Sequence, residues 1–414
     1  MEDPRITRIE WGRLEGARPR AAGVNARIGV HGKTVRPAVA RLTAEDGSSG
    51  FGVARATRDQ AQAVIGQRLS SAFSGGTLQG PSGGTPQGAQ GAQGAAGSGG
   101  TTGGASEPWM PLEYPLFDLV ARRAGLPVYA LLAKMAGRDE GAPPREGVGT
   151  APFRVPCYDT SLYIDDLHLE EDAAGAALIA AEAREGYERG HRAFKIKVGR
   201  GGLQMPLEAG TRRDIAVVRA VREAVGPEPP IMLDANNGYN FNLARHVLAE
   251  TADCRVFWLE EAFHEDAALY RELKEWMARE GLATLIADGE GQASPALLDW
   301  AREGVVDVVQ YDYLSYGCTR WLATGKLLDS WGRRAAPHHY GGHYGNYVSG
   351  HLAGAIQGFT FVEWDEASTP GLDGSAYVVR EGQVTLPEAP GFGLHLDEPV
   401  YARTVAADGY HLEA

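Results

Sequence analysis

The residues of this chain able to do chemistry sit at the ends of short apolar runs in its second half. Lys195 and Lys197 lie in FKIKVG, Asp234 and Asn236 in MLDANN, and Glu260 and Glu261 in WLEEAF. Further on come Asp288 and Glu290 in ADGE, Gln310 and Asp312 in VQYD, His338 and His339 in APHH, and Glu363 in VEW. In an extended strand, residues two apart share a face, so the two lysines project together, as do Asp234 and Asn236. Asp234, Glu260 and Glu290 on successive strands would bring three anions to one place, which requires a cation. Oxygen donors alone favour a hard divalent ion, Mg²⁺ above all, with positions left for a substrate carboxylate and water. Salt bridges or helix caps are the plainer use of single acids at strand ends.

A lysine flanked by a second ammonium and partly buried is expected to have a lowered pKa, as a basic catalyst requires. Two snorkelling lysines on an edge-like strand are the plain alternative. His338 is expected beside Asp312 on the neighbouring strand, where a carboxylate sets the tautomer of the imidazole; His339 is expected to point the other way. The group His338, His339 and His343 suggests zinc, yet no His-x-His stands on an early strand, and Asp/Glu ligands favour a harder metal.

The elements that must hold these residues repeat. From Val155 onward, short apolar strands alternate with amphipathic helices about every 25 to 30 residues, among them DIAVVRAVREAVG, ALYRELKEWMAREG, SPALLDWAREG and TRWLATGKLLDSWG. That alternation implies a parallel sheet. With VPCYDTSLY as the opening strand there are eight, enough to close an α/β fold of the (β/α)-barrel type, whose active site lies at the C-terminal strand ends. Ahead of it, ITRIEWGRL, VRPAVARLTAED and SSGFGVARA read as strands, and RDQAQAVIGQRL and PLEYPLFDLVARRAGLPVYALLAKMAG as helical. The expected organisation is an N-terminal α+β capping domain over 1–150, a barrel over 151–376, and a segment over 377–414 that returns to the capping domain. A Gly/Ser/Gln-rich insertion at about 74–106 has almost no large apolar residue, so it reads as a flexible segment.

The ordered motifs FKIKVG, MLDANN, WLEEAF, ADGE, VQYD, APHH and VEW resemble the enolase superfamily, within it the mandelate racemase and muconate lactonizing enzyme-like branch. The likeness extends to LPVYALLA and the closing PGFGLHLDEP. It implies a modified TIM barrel and a Mg²⁺ site made by Asp234, Glu260 and Glu290. It further implies Lys197 as a base on one face of the substrate with Lys195 beside it, the His338–Asp312 dyad as acid/base on the other face, and Glu363 bonded to the substrate carboxylate or its enediolate. Three departures bear on substrate identity: Glu260-Glu261-Ala262-Phe263 where the family commonly has Glu-Glu-Pro, a change after the ligand that should leave the metal intact; the doubled His339 with the Tyr-rich stretch around Tyr340 and Tyr344; and the long insertion in the domain that normally selects substrate.

The expected reaction is abstraction of the proton next to the carboxylate of a small organic acid through an enediolate. With a hydroxyl on the next carbon the outcome is dehydration of a sugar acid to a 2-keto-3-deoxy acid; without one it is racemisation or epimerisation of a 2-hydroxy acid. Tyr158, Asn236, Tyr340 and His343 are the candidate substrate-binding groups. Arg18, Arg20 and Arg154 are able to meet a distal carboxylate, although surface solvation is the commoner role. A catalytically silent binding homologue would show losses among the eight catalytic and metal positions, and none is missing; a zinc hydrolase would be rescued by Zn²⁺ rather than Mg²⁺ after chelation.

The net charge of −13, with no dense Lys/Arg tract, argues against nucleic acid or an anionic membrane as partner. Cys157, Cys254 and Cys318 lie far apart without a CxxC pair, which fits a reducing cytoplasm. No apolar run is long enough to span a bilayer, and the charged N-terminus does not read as a signal peptide. A small carboxylate substrate and a homo-oligomeric assembly are the expected partners.

Overall fold

The protein is described from a computed structural model covering residues 3–73, 104–138, 152–340 and 344–414. Its centre is a ring of eight parallel strands: Arg154–Leu162, Phe194–Lys197, Ile231–Asp234, Val256–Glu260, Leu285–Asp288, Val308–Val309, Arg334–Ala335 and Val362–Trp364. Each pairs with the next, the seventh meets the eighth segment through an Ala335–Phe359 bridge, and the eighth pairs with the first. The architecture is the expected (β/α)-barrel beneath a mixed α/β cap.

FKIK and IMLD are buried at every position, because one strand face meets the barrel interior and the other the helices. Tyr158, Met232, Trp258, Ala287, Val308, Ala336 and Phe361 fill the interior as one buried cluster. Phe194, Ile196, Leu233 and Leu259 point outward into the larger core with the helices. Each large side chain so buried contributes on the order of 2–3 kcal/mol. The interior is therefore a packed plug, and chemistry is confined to its upper rim.

Helices Asp172–Glu188, Leu207–Val225, Phe241–Glu250, Ala267–Arg279, Leu297–Arg302 and Cys318–Ser330 cover the ring. The second of these begins at Leu207 rather than at the periodic Asp214. Pro206 precedes it, and Gly210 packs so closely that a Cβ there would lie 2.3 Å from the Gly201 nitrogen. After the seventh strand the crossover shrinks to a short helix, Gly345–Val348, and a 3₁₀ turn, Ser349–Gly354.

The cap is a four-stranded antiparallel sheet of Ile6–Arg13, Ala38–Ala44, Ser49–Val53 and the C-terminal Tyr410–Glu413. The chain end thus pairs with its beginning. Helix Glu113–Ala124 lies on the sheet at close range: a Cβ at Gly50 would sit 2.2 Å from the Leu119 nitrogen. The expected helix at 58–69 is only Arg58–Gln62, because Gly66 takes a left-handed conformation and its N–H turns to the Ile6 carbonyl at 2.8 Å. Most of the Gly/Ser/Gln-rich insertion lies outside the described residues; its flanks, Phe73 and Ala105, form an antiparallel bridge.

Candidate active site

Strand register assembles the site. Lys197 pairs with Asp234, Asp234 with Glu260, and Glu260 with Ala287, so these side chains share one rim at the C-terminal ends of adjacent strands. Asp312 and His338 form an isolated parallel bridge on the same rim. Oxygens of Asp234, Glu260 and Glu290 lie within 4.8 Å of one another.

Each carboxylate is held by named donors. Lys197 Nζ bonds to Asp234 Oδ2, while the Asn236 N–H donates to Oδ1 at 3.0 Å. Glu260 Oε2 accepts from Trp258 Nε1 at 3.0 Å and from Gln310 Nε2 at 2.9 Å, and its Oε1 lies 2.8 Å from Lys195 Nζ. Asn236 Nδ2 reaches Glu290 Oε1 at 3.1 Å and Glu261 Oε2 at 3.0 Å. His338 Nδ1 stands 2.6 Å from Asp312 Oδ1, and its Nε2 is 3.1 Å from Glu290 Oε2. Lys197 therefore flanks the carboxylate triad beside Asp234, and His338 flanks it beside Glu290.

The electrostatics show what is wanting. Asp234, Glu260, Glu261, Glu290 and Glu363, all but Glu290 buried, still outnumber Lys195, Lys197, His338 and the half-exposed Arg27 that reaches Glu261 at 3.3 Å. Burial, with Asp234 adding repulsion, pushes Glu260 up to about 8. Burial and the neighbouring Glu290 push Glu261 up to about 10. Burial also opposes the charge of Asp234, but Lys197 and Lys195 outweigh it and hold that carboxyl below its usual range. Carboxylates that must take up protons when packed this closely are what a divalent cation would relieve. The all-oxygen donor set suits Mg²⁺, and Asp234, Glu260 and Glu290 would hold it.

The lysine pair meets a third charge that the spacing along one strand does not show. Burial disfavours the ammonium of Lys197, yet Asp234 more than compensates, and its pKa is raised despite Lys195 nearby. A cation at the carboxylates would take over that compensation and free Lys197 to lose its proton. Burial likewise works against protonation of His338, but Glu290, Glu363 and Asp312 raise it to about 10.

Glu363 is held by groups of the chain itself. Its Oε1 accepts from Thr160 Oγ1 at 2.7 Å and lies 3.2 Å from Lys195 Nζ; its Oε2 accepts from the backbone N–H groups of His339 and Tyr340 at 2.7 and 3.2 Å. Burial opposes its charge, but Lys195 and His338 hold it well below the usual range. A carboxylate accepts and does not donate, so Glu363 orients Lys195 and the turn after the seventh strand. His339 turns away from His338, its ring edge-on to Tyr313 and its Nε2 on the Glu363 carbonyl.

Two candidate substrate-binding residues are placed differently. Tyr158 is fully buried in the plug with Trp258 and Phe361, its ring 5.3 Å below Lys195 Nζ, because its strand position points into the barrel. Asn236, 2% exposed, is occupied in orienting Glu290 and Glu261. Tyr340 does line the cleft above the site, with Arg18 and His31 of the cap. His343 lies outside the described residues.

Four groups went unassigned in the sequence. Gln310 and Trp258 each stand two before an acid, Asp312 and Glu260, a spacing that puts them on the inner face. His31 carried no signal. Arg200 clamps the turn after Lys197: it pairs with Asp166 at 2.6 Å and Asp214 at 2.7 Å, and donates to the Lys197 carbonyl at 3.3 Å.

The family profile described as Enolase C-terminal domain-like matches residues 178–400. A mutant of galacturonate dehydratase from Geobacillus sp., solved with Mg, is 44% identical, with 99% of this chain and 97% of that one covered and a TM-score of 0.88. The same enzyme complexed with D-galacturonate and 5-keto-4-deoxy-D-galacturonate is 43% identical, with 99% of each chain covered and a TM-score of 0.87. L-talarate/galactarate dehydratase of Salmonella typhimurium is 28% identical over 72% of this chain and 65% of its own, so the chain spans about two thirds of that curated relative. With the profile covering more than half of its length and the barrel rim described above, the chain belongs to the enolase superfamily, in the mandelate racemase/muconate lactonizing enzyme branch.

Proposed function

We propose that the chain is a Mg²⁺-dependent dehydratase that converts a sugar acid to an α-keto, β-deoxy acid. The observation that carries this reading is the pair of acid/base groups, Lys197 and His338, on opposite flanks of one carboxylate triad. A proton on the carbon beside a carboxylate is very weakly acidic, since its removal places a second negative charge on that group. Mg²⁺, when bound, supplies positive charge at the carboxylate oxygens. Lys197 takes the proton. Lys195, held by Glu260 and Glu363, stabilises the enediolate charge from the side without reorganising. His338, oriented by Asp312, protonates the hydroxyl that leaves from the next carbon.

D-Galacturonate is the first substrate to test, because its dehydratase from Geobacillus sp. is similar over nearly the whole chain. The 5-keto-4-deoxy product bound there is the expected change numbered from the opposite end of the sugar. The test is a keto-acid assay across a sugar-acid library with Mg²⁺, beside Lys197→Ala and His338→Asn. Each variant is expected to lose about 10²–10⁴-fold in rate. Proton exchange in deuterated water without a keto acid would replace dehydration with racemisation or epimerisation. Among the described residues no helix is long and apolar enough to cross a membrane; a cytoplasmic location and a homo-oligomeric assembly belong to this proposal, and light scattering checks the latter.

A further inference from the structure

The cleft above the barrel rim, about 450 Å³ in volume, is walled by Arg18, His31 and Tyr340 and reaches outward to Thr34, Val35 and Arg36. It stands over the catalytic groups: Lys197 Nζ is 5.6 Å from the Tyr163 ring, which lies 4.8 Å from Tyr340 and 5.0 Å from His31. A substrate whose carboxylate faces Asp234, Glu260 and Glu290 would extend its far end into this space.

Arg18 is the buried cation of that wall, and its charge is already spent. It is 6% exposed, its Nε lies 2.9 and 3.0 Å from the two Asp365 oxygens, and its Nη2 is 2.7 Å from Oδ2. Asp365 is itself 1% exposed, and the side-chain amide of Asn346 fixes its main chain by donating to its carbonyl and accepting from its N–H. This closed bidentate pair presents no net charge and leaves Nη1 as the donor for a substrate oxygen. Burial, with Lys197 and Arg18 close by, lowers His31 to about 4, so it too faces the cleft uncharged near neutral pH. The buried hydroxyls of Tyr163 and Tyr340 interact with each other and with no other hydrogen-bond partner among the described residues, so the pair can turn to a substrate oxygen. At the outer rim, Arg36 pairs with Glu15 at 2.9 Å, with both side chains mostly exposed. Among the described residues the wall is thus polar and electrically neutral.

We infer that this cleft selects sugar acids carrying a single carboxylate and rejects diacids, because the Arg18–Asp365 pair leaves a distal carboxylate without a counter-charge. A neutral aldehyde or hydroxyl end is met by Arg18 Nη1 and the two tyrosine hydroxyls, whereas a second carboxylate would face Asp365 as well. The inference rests on the dehydratase reading and names the substrate class for it.

D-Galacturonate and galactarate differ only at the distal carbon, aldehyde against carboxylate, and make a matched pair. Wild type is expected to favour galacturonate in kcat/KM by at least about tenfold, the scale of an uncompensated like-charge contact. Asp365→Asn should lower that ratio about tenfold or more by freeing Arg18. His31→Lys adds a cation without touching the buried pair and should shift the ratio the same way, which guards against a folding defect in the first variant. In a Lys197→Ala background, calorimetric binding should be weaker for galactarate than for galacturonate, and His31→Lys should tighten galactarate binding. Equal use of both acids by wild type, or folded Asp365→Asn and His31→Lys proteins with the wild-type ratio, overturns the inference and leaves the dehydratase reading standing. Failure to dehydrate any sugar acid, with galacturonate still bound more tightly than galactarate, would instead remove the dehydratase reading alone.

Discussion

Replacing Gln310 with leucine tests whether Glu260 is a metal ligand oriented by its neighbours. Gln310 is fully buried, and its Nε2 donates to Glu260 Oε2 at 2.9 Å. Leucine is similar in volume, so packing changes little, but a hydrogen bond to a charged group worth about 1.5–3 kcal/mol is lost. If all of it were spent on aiming the carboxylate, Mg²⁺ affinity would fall about 10–100-fold, the range found for partners of metal ligands. Trp258 Nε1 still holds the same oxygen at 3.0 Å, so the lower end, about tenfold, is expected. The deficit should deepen as pH falls. Burial and Asp234 already push Glu260 up to about 8, loss of a donor to its ionised form raises it further, and metal competes with that proton. The assay is calorimetric Mg²⁺ titration of chelator-stripped protein at pH 6 and pH 8, alongside the Mg²⁺ dependence of turnover. Saturating metal should restore most of kcat. A folded variant whose Mg²⁺ affinity stays within about twofold of wild type would refute the reasoning, since a carboxylate aimed by Gln310 must lose affinity when that bond goes.

Two other perturbations probe the scaffold. Arg200→Gln leaves Asp166 and Asp214 short of their buried partner, so urea unfolding should show a loss of about 3–5 kcal/mol, and a loss below about 1 kcal/mol would remove the clamp from the account. Glu182, 7% exposed, is pushed up to about 8 by burial, with Asp165 and Glu185 adding to it against Arg20. Its folded pKa exceeds the ordinary 4.5, so the stability it confers is complete below that value and lost as pH rises through about 8. Glu182→Gln should therefore melt higher relative to wild type at pH 8.5 than at pH 5; a difference that does not change with pH would contradict the shift.

Much of the barrel was legible because strand–helix alternation is a local property. FKIKVG, MLDANN and WLEEAF are apolar runs that end in acids or lysines, and a parallel barrel has only one rim on which such ends can gather. Period-two spacing put Lys195 and Lys197 on one face, and that is how they lie. The same reasoning misplaced Tyr158. A strand position shows which face a side chain takes, but not whether it lies above or below the plug; that depends on the stagger of neighbouring strands. The pKa expectation for Lys197 left out one partner for a related reason: it counted the adjacent ammonium and not Asp234, which arrives from another strand.

Arg18 marks the boundary most clearly. Read alone it is a surface arginine near the N-terminus, like Arg20, which sits part-exposed against Glu182 and Glu185, and Arg154, which is exposed. In the fold it is buried against Asp365, 347 positions away, and turned over Tyr340 at 4.7 Å. The sequence by itself determined the kinds of groups at the rim, their order and the class of metal they suit, because those follow from composition and spacing along single strands. Which charges neutralise one another, and so what the cleft accepts, was decided by tertiary structure alone, because electrostatic energy depends on distances in space between segments that nothing in the chain order relates.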